Sequence, residues 1–153
     1  MENAPILNQR SSGECSGYAI LWALIRMKPD IDYRAIEKRL IEEDWNSFTF
    51  FIAYKWFIKE WYIKWVRKVK YSPFLAKKTP IITGVTNADW KVTGSPPYVL
   101  KFENRQTLGS HFVTIVWPWK VANSWGYEFG DNWYFYFDQK DIRRFKQCFV
   151  LII

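Results

Sequence analysis

The stretch that decides the fold is CSGYAILWALIRM, which runs from Cys15 to Met27. Its large apolar residues recur at three- and four-residue spacing, which predicts a helix that packs on a core. Those residues are Tyr18, Leu21, Trp22 and Ile25. Pro29 and Asp30 follow and are typical of the end of a helix. The first helix is therefore expected to begin at a cysteine.

Two further helices are predicted in the first half of the chain. Asp32 has the short polar side chain of an N-cap, and a second helix is expected from there to about Glu43. A third helix is predicted over 48–70, because its charged residues recur one helical turn apart. The rest of this helix is aromatic or aliphatic. It is expected either to pack on the core with its lysine stems extended, or to bind a protein partner or a membrane surface.

The second half of the chain is typical of β-structure, with β-branched and aromatic runs separated by turn residues. Predicted strands cover 80–86, 98–103, 112–117 and 133–137. Helices followed by strands indicate an α+β protein. We expect a single domain over 1–153, with a helical lobe over about 10–75 and a β lobe over about 76–153, the latter joined by the N-terminal segment 1–9.

The composition is that of a folded, basic protein. Nearly half of the 153 residues are apolar, and 22 basic against 15 acidic residues give 22 − 15 = +7. Such a charge can attract nucleic acid, anionic lipid or an acidic polypeptide, although it is expected mainly to provide solubility. No nucleic-acid partner is predicted.

The two cysteines and the one histidine restrict the chemistry. Two cysteines are too few for a disulfide scaffold, although one Cys15–Cys148 bridge stays open. Cys148 lies in the apolar run 148–153 and is expected to pack as a small core residue. With a single histidine and distant cysteines, no metal site and no cofactor are predicted.

Neither a signal peptide nor a membrane span is predicted. The N-terminus lacks a charged start followed by an apolar run, so a cytoplasmic or phage-associated location is the default expectation. The apolar stretch over 48–66 contains four charged residues, which argues against a transmembrane helix.

Cys15, His111 and Asn123 are the residues with catalytic potential. At a helix N-terminus, unpaired backbone N–H groups favour the thiolate of Cys15. His111 is the only imidazole of the chain and opens a predicted strand. If 117–119 form a tight connection, the next segment returns antiparallel and brings Asn123 within reach of His111. The asparagine carbonyl would then fix the imidazole tautomer, with Trp125 covering the hydrogen bond.

Four segments in this order resemble the motifs of the papain-like cysteine peptidases. The first segment, 9–19, has Gln9 six positions before Cys15, Gly13 two before it and Tyr18 three after it. The others are the histidine-led strand His-Phe-Val-Thr-Ile-Val, the intact Asn-Ser-Trp-Gly at 123–126, and the Gly-Asp-Asn-Trp-Tyr-Phe that follows.

The resemblance implies a fold, an activity and a role for each site residue. The fold would be papain-like, with an N-terminal helical lobe packed on a C-terminal antiparallel β-sheet or barrel lobe and the active site between them. The activity would be hydrolysis of a polypeptide substrate. Cys15 would be the nucleophile, His111 its base, Asn123 the orienting residue and Gln9 the oxyanion donor. Gly13 and Trp125 would support them.

The chain also departs from the family pattern. The separations from Cys15 are 111 − 15 = 96 and 123 − 15 = 108 residues, against roughly 130–150 in the family. Ser16 stands where the family has a tryptophan, and Ser12 where it has a disulfide cysteine. The sequence lacks a Gly-Gly segment that would match the substrate wall, and no prodomain is expected. The resemblance is therefore to a compact variant.

Other functions fit parts of the sequence. Glu-Cys-Ser-Gly-Tyr over 14–18 is also similar to the nucleophile motif of the NlpC/P60 cell-wall peptidases, in which the histidine comes sooner. A Cys–His pair can transfer an acyl group to an amine instead of water. A non-catalytic binding or assembly protein on the same fold is a further alternative.

Overall fold

The computed structural model describes residues 15–43, 50–85, 88–89, 99–102, 111–122, 134–145 and 147–153. Its helices are α1 (Cys15–Met27), α2 (Tyr33–Glu43), α3 (Phe50–Lys59), α4 (Pro73–Lys78) and a 3-10 helix (Gln139–Arg144). Its strands are β1 (Trp65–Val69), β2 (Ile81–Val85), β3 (Ala88–Asp89), β4 (Val99–Phe102), β5 (His111–Trp117), β6 (Lys120–Ala122), β7 (Tyr134–Phe137) and β8 (Gln147–Ile152). The predicted α+β class is confirmed.

The strands of the described segments form one sheet in the order β1-β8-β2-β5-β6-β7-β4-β3. Neighbours are antiparallel except β4 and β7, which are parallel. β5 occupies a central position between β2 and β6. Residues 111–115 of β5 are buried on both faces of the sheet, so the register of this strand is strongly determined.

The sheet separates two apolar cores, and β5 contributes to both. Phe112 packs in the first core, together with α1, α2 and α3. Val113 and Ile115 pack in the second core, against α4 and strands β7 and β8. This alternation follows from the two-residue period of strand side chains. Successive side chains of β5 therefore face opposite sides of the sheet.

Helix α1 is buried along nearly its whole length. All of the residues from Cys15 to Ile25 are buried, including Ser16 and Gly17. A helix that is apolar almost all round must be enclosed by other elements. Here the sheet covers one side, and α2 and α3 contribute to the same core.

Several predicted elements are confirmed by the structure. Helix α1 has the predicted bounds, and Asp32 caps α2, because its carboxylate accepts a hydrogen bond from the Ala35 backbone N–H at 3.2 Å. The four predicted strands correspond to β2, β4, β5 and β7. These segments carry their signal locally, in caps, periodicity and turn residues.

The prediction of one helix over 48–70 is wrong. Helix α3 ends at Lys59, Trp61 has a positive φ of 66°, and the chain then forms β1. β1 pairs along its length with β8, and the Lys64 N–H continues the pairing to the Ile152 carbonyl. Val66 is buried while Arg67 and Lys68 are exposed, as on an edge strand. An aromatic basic helix 48–70 is therefore not available as a partner surface.

Cys148 is a core residue, as predicted. It lies in the second core, 1 % exposed, and its thiol donates to the Phe145 carbonyl at 3.3 Å. Cys15 lies in the first core, and both cysteines are free. The disulfide that the sequence left open is absent, because the two thiols lie on opposite faces of the sheet.

Among the helices of the described segments, none has the length and apolar composition needed to cross a bilayer.

Replacing Cys148 should make the protein less sensitive to alkaline pH. Burial raises the pKa of the Cys148 thiol above its ordinary value, while hydrogen bonds with Thr83 and the Tyr71 backbone lower it in part. A thiol with a higher pKa in the folded state adds stability below its unfolded pKa. That stability is lost as the pH rises through the folded pKa. We expect the free energy of unfolding to fall less in Cys148→Ala than in the parent between about pH 7 and pH 10, since free thiols ionise near pH 8.5.

Urea unfolding under reducing conditions at the two pH values measures this difference. Because the substitution lowers the free energy of unfolding by on the order of 1 kcal/mol at neutral pH through lost packing, the two proteins are compared by how much their free energy of unfolding changes with pH. Burial also raises the pKa of Tyr71, and the neighbouring Cys148 adds to that rise. In Cys148→Ala the pKa of Tyr71 should therefore be raised less, which changes the pH dependence of stability in the same direction. An equal alkaline loss in both proteins would contradict the prediction.

Candidate active site

Cys15 is the first residue of α1, and its thiol faces β5. It is 8 % exposed, and it receives hydrogen bonds from the Phe112 backbone N–H and from Ser16. Burial raises the pKa of the Cys15 thiol above its ordinary value. These hydrogen bonds, together with those from the backbone N–H groups of Ser16 and Cys15, lower the pKa in part. The thiol therefore needs a proton acceptor to become a thiolate at neutral pH.

The position of Cys15 is fixed by the packing of α1 on β5. One turn further along α1, the Ala19 carbonyl accepts a hydrogen bond from the buried Thr114 hydroxyl. Four helical residues rise about 6 Å, and two strand residues rise about 6.6 Å. The spacing from Cys15 to Ala19 along α1 therefore matches the spacing from Phe112 to Thr114 along β5, and α1 and β5 run in the same direction.

His111 is the first residue of β5 and directly precedes the residue whose backbone contacts the Cys15 thiol. It is 7 % exposed and pairs with Val85 of β2. Consecutive Cα atoms lie about 3.8 Å apart, so β5 brings His111 close to the start of α1. The two residues are 96 positions apart in the sequence.

The direction of the His111 side chain is a separate matter. Strand alternation gives His111 the parity of Val113 and Ile115, which lie on the second-core face, whereas Cys15 lies on the first-core face. A thiol–imidazole contact therefore requires a His111 rotamer that brings the ring around the end of the strand. It does not follow from the register of β5 alone.

The predicted return of the chain after β5 is confirmed as far as Ala122. The residues 118–119 form a turn in which Trp119 has a φ of 69°. β6 then pairs antiparallel with β5, with Ala122 opposite Thr114. Asn123 is the next residue in the sequence. It lies outside the described residues, as do three other predicted site residues: Gln9, Gly13 and Trp125.

Ser16 is a site residue that the sequence did not reveal. It is 2 % exposed, and its side chain hydrogen-bonds to Cys15 in a sense that lowers the pKa of the thiol. In the sequence, Ser16 was notable only as the replacement of a family tryptophan. A hydroxyl directly after a helix-starting cysteine is the signal that could have identified it.

No protein-family model matches the chain, and no curated protein matches it significantly. The assignment of the site therefore depends on the residues themselves.

The pH dependence of Cys15 alkylation should reveal whether His111 takes its proton. In a Cys148→Ala background, Cys15 is the one thiol left. If His111 accepts the proton, iodoacetamide labelling proceeds below neutral pH. In His111→Gln the midpoint, the pH at which the alkylation rate is half-maximal, should then rise above about 8.5, the ordinary thiol pKa, because burial raises the pKa of the Cys15 thiol.

Alkylation quenched at a series of times and followed by mass spectrometry gives the alkylation rate at each pH. Circular dichroism of both proteins establishes that the substitution leaves the fold intact. Identical midpoints with and without His111 would show that the imidazole does not act on Cys15.

Proposed function

We propose that the protein is a papain-like cysteine peptidase with Cys15 as nucleophile and His111 as general base. One observation carries the proposal: the Cys15 thiol, at the start of α1, hydrogen-bonds to the backbone of the residue after His111. Thiol hydrolases need a cysteine and a histidine side chain within hydrogen-bond reach of each other, and here the helix start that carries Cys15 adjoins the strand start that carries His111.

The order of motifs supports the same proposal. Gln9 and Gly13 precede the nucleophile at the spacing of the papain-like family, and Asn123 and Trp125 belong to the intact Asn-Ser-Trp-Gly. β6 runs antiparallel beside β5 and ends directly before Asn123. In the proposed site, Asn123 orients the imidazole and Trp125 covers that hydrogen bond.

The proposed reaction proceeds through a thioester. His111 takes the proton of Cys15, and the thiolate attacks the carbonyl carbon of a peptide bond. The Gln9 side chain and the Cys15 backbone N–H stabilise the oxyanion; losing one such donor typically costs about 2.7–4 kcal/mol of transition-state stabilisation. His111 then protonates the leaving amine. Water, activated by His111, hydrolyses the thioester and restores the thiol.

The cleft of this enzyme would open where α1 begins, between the helices of the first core and the start of β5. The proposed lobes share one sheet, since β1 comes from the helical part of the chain and pairs with β8. This is a more compact arrangement than two separate lobes. It agrees with the short separation of Cys15 and His111 in the sequence.

The two cysteines offer a matched pair of variants for testing the activity. Cys15→Ala should lower hydrolysis of a fluorescent casein substrate by about a thousandfold or more, and His111→Gln similarly, because these residues act as one unit. Cys148→Ala, which removes the same group from the second core, should keep the activity. Asn123→Ala should lose less than either catalytic variant.

Labelling with the epoxide inhibitor E-64 provides an independent readout on the same proteins. The label should map to Cys15 and should be lost in Cys15→Ala but kept in Cys148→Ala. Casein hydrolysis by Cys15→Ala at the parent rate would refute the assignment of the nucleophile.

A further inference from the structure

Exposed apolar side chains gather at the end of the sheet that is remote from Cys15. β8 and β5 run in the same direction, since each is antiparallel to β2, and they end at Ile152 and Trp117. β1 is antiparallel to β8, so Trp65 begins at this end, opposite Ile152. Trp65 is 58 % exposed and Trp117 47 %. We call this the distal end of the protein.

A basic cavity opens at the distal end. It has a volume of 380 Å³ and is lined by Arg26, Lys77 and Lys78, with Met27, Pro80 and Val116 among its apolar walls. Its position follows from the topology. α1 runs along β5 and brings Arg26 there, and α4 directly precedes β2, which starts there. Cations and apolar surface are thus combined in one concave region.

The cations of this cavity have no acidic partner within the described residues. The ion pairs of those segments join Arg34 to Glu37 and Arg39 to Glu60, and none of the described side chains that line the cavity is acidic. Lys78 lies 4.1 Å from the ring centre of Phe74, which is itself exposed. Lys64, also exposed, adjoins Ile152.

Helix stability explains only part of this arrangement. Arg26, Lys77 and Lys78 lie in the last turns of α1 and α4, where cations favour the carbonyl end of a helix. That effect accounts for the charges. It does not account for two exposed tryptophans and exposed isoleucines beside them, since soluble proteins rarely group such residues.

We propose that the distal end docks on the surface of an anionic lipid bilayer. Tryptophan is favoured at the level of the lipid headgroups, and lysine and arginine are attracted to anionic headgroups. The cavity cations would contact lipid phosphates, while Trp65, Trp117 and Ile152 enter the interface. A nucleic acid would use the cations and aromatic rings but not the aliphatic residues, so lipid is the better match.

This inference does not depend on the proposed peptidase activity. Cys15 lies at the opposite end of α1, whose 13 residues span about 20 Å. A docked molecule would therefore keep the start of α1 and β5 away from the membrane. Binding can be measured without any substrate.

Vesicle sedimentation with paired lysine variants tests the proposal. The full chain is centrifuged with vesicles of phosphatidylcholine alone or of phosphatidylcholine mixed equally with phosphatidylglycerol. We expect binding to the mixed vesicles and not to the neutral ones. Lys77→Gln/Lys78→Gln should weaken it by at least about tenfold, since each basic residue near an anionic surface contributes substantially.

The matched control is Lys68→Gln/Lys70→Gln, which removes two exposed lysines toward the other end of β1 and lowers the net charge equally. It should bind nearly as the parent does, whereas Trp65→Ser/Trp117→Ser should bind less. Equal losses in both lysine variants would overturn the proposal, because net charge alone would then explain binding. Three other results would also overturn it: no sedimentation, binding to single-stranded DNA only, or thermal stabilisation by inorganic phosphate without vesicle binding.

Discussion

The packing of α1 on β5 is the constraint on which the rest of the structure depends. α1 is too apolar to face water, so it must be enclosed, and β5 is the strand on which it lies. The Thr114 hydroxyl bonds to the Ala19 carbonyl in this contact, and the Phe112 N–H bonds to the Cys15 thiol. A hydroxyl in an apolar core is costly unless it is paired, so the Thr114 bond helps to fix how far α1 can slide along β5. The position of Cys15 relative to His111 follows from that alignment.

The two-sided character of β5 explains why the two cysteines have different surroundings. Phe112 and Thr114 face α1, while Val113 and Ile115 face the second core. A shift of one residue would exchange these faces and move polar Thr114 into the second core. The sheet therefore keeps Cys15 beside the start of β5 and holds Cys148 on the other face. Of the two cysteines, only Cys15 begins a helix beside the start of a strand.

Local signals predicted much of the fold, and distant pairings account for the errors. The bounds of α1, the Asp32 cap and the strand β5 follow from periodicity, capping and β-branched residues near at hand. Residues 60–70 were expected to be helical because their charges repeat at helical spacing, yet β1 forms there because β8, far along the sequence, supplies its hydrogen bonds. The approach of Cys15 to β5 agrees with the order of the motifs. The exposure of Trp65 and Trp117 depends on packing and register, which no local pattern encodes. Gln9, Gly13, Asn123 and Trp125 stay predictions, since they lie outside the described residues.

The dipole of α1 bears on the electrostatics of the proposed site. The N-terminus of α1 favours a thiolate at Cys15, and its C-terminus favours Arg26, so the helix dipole suits both ends. The dipole alone contributes about 0.3–1 kcal/mol, which is less than the 1.36 kcal/mol of one pKa unit. Burial outweighs the backbone donors and keeps the pKa of the Cys15 thiol raised. A helix start therefore does not suffice to make Cys15 a thiolate at neutral pH. The proposed nucleophile requires a base, and the single imidazole of the chain, at the start of the adjoining strand, is the base we propose.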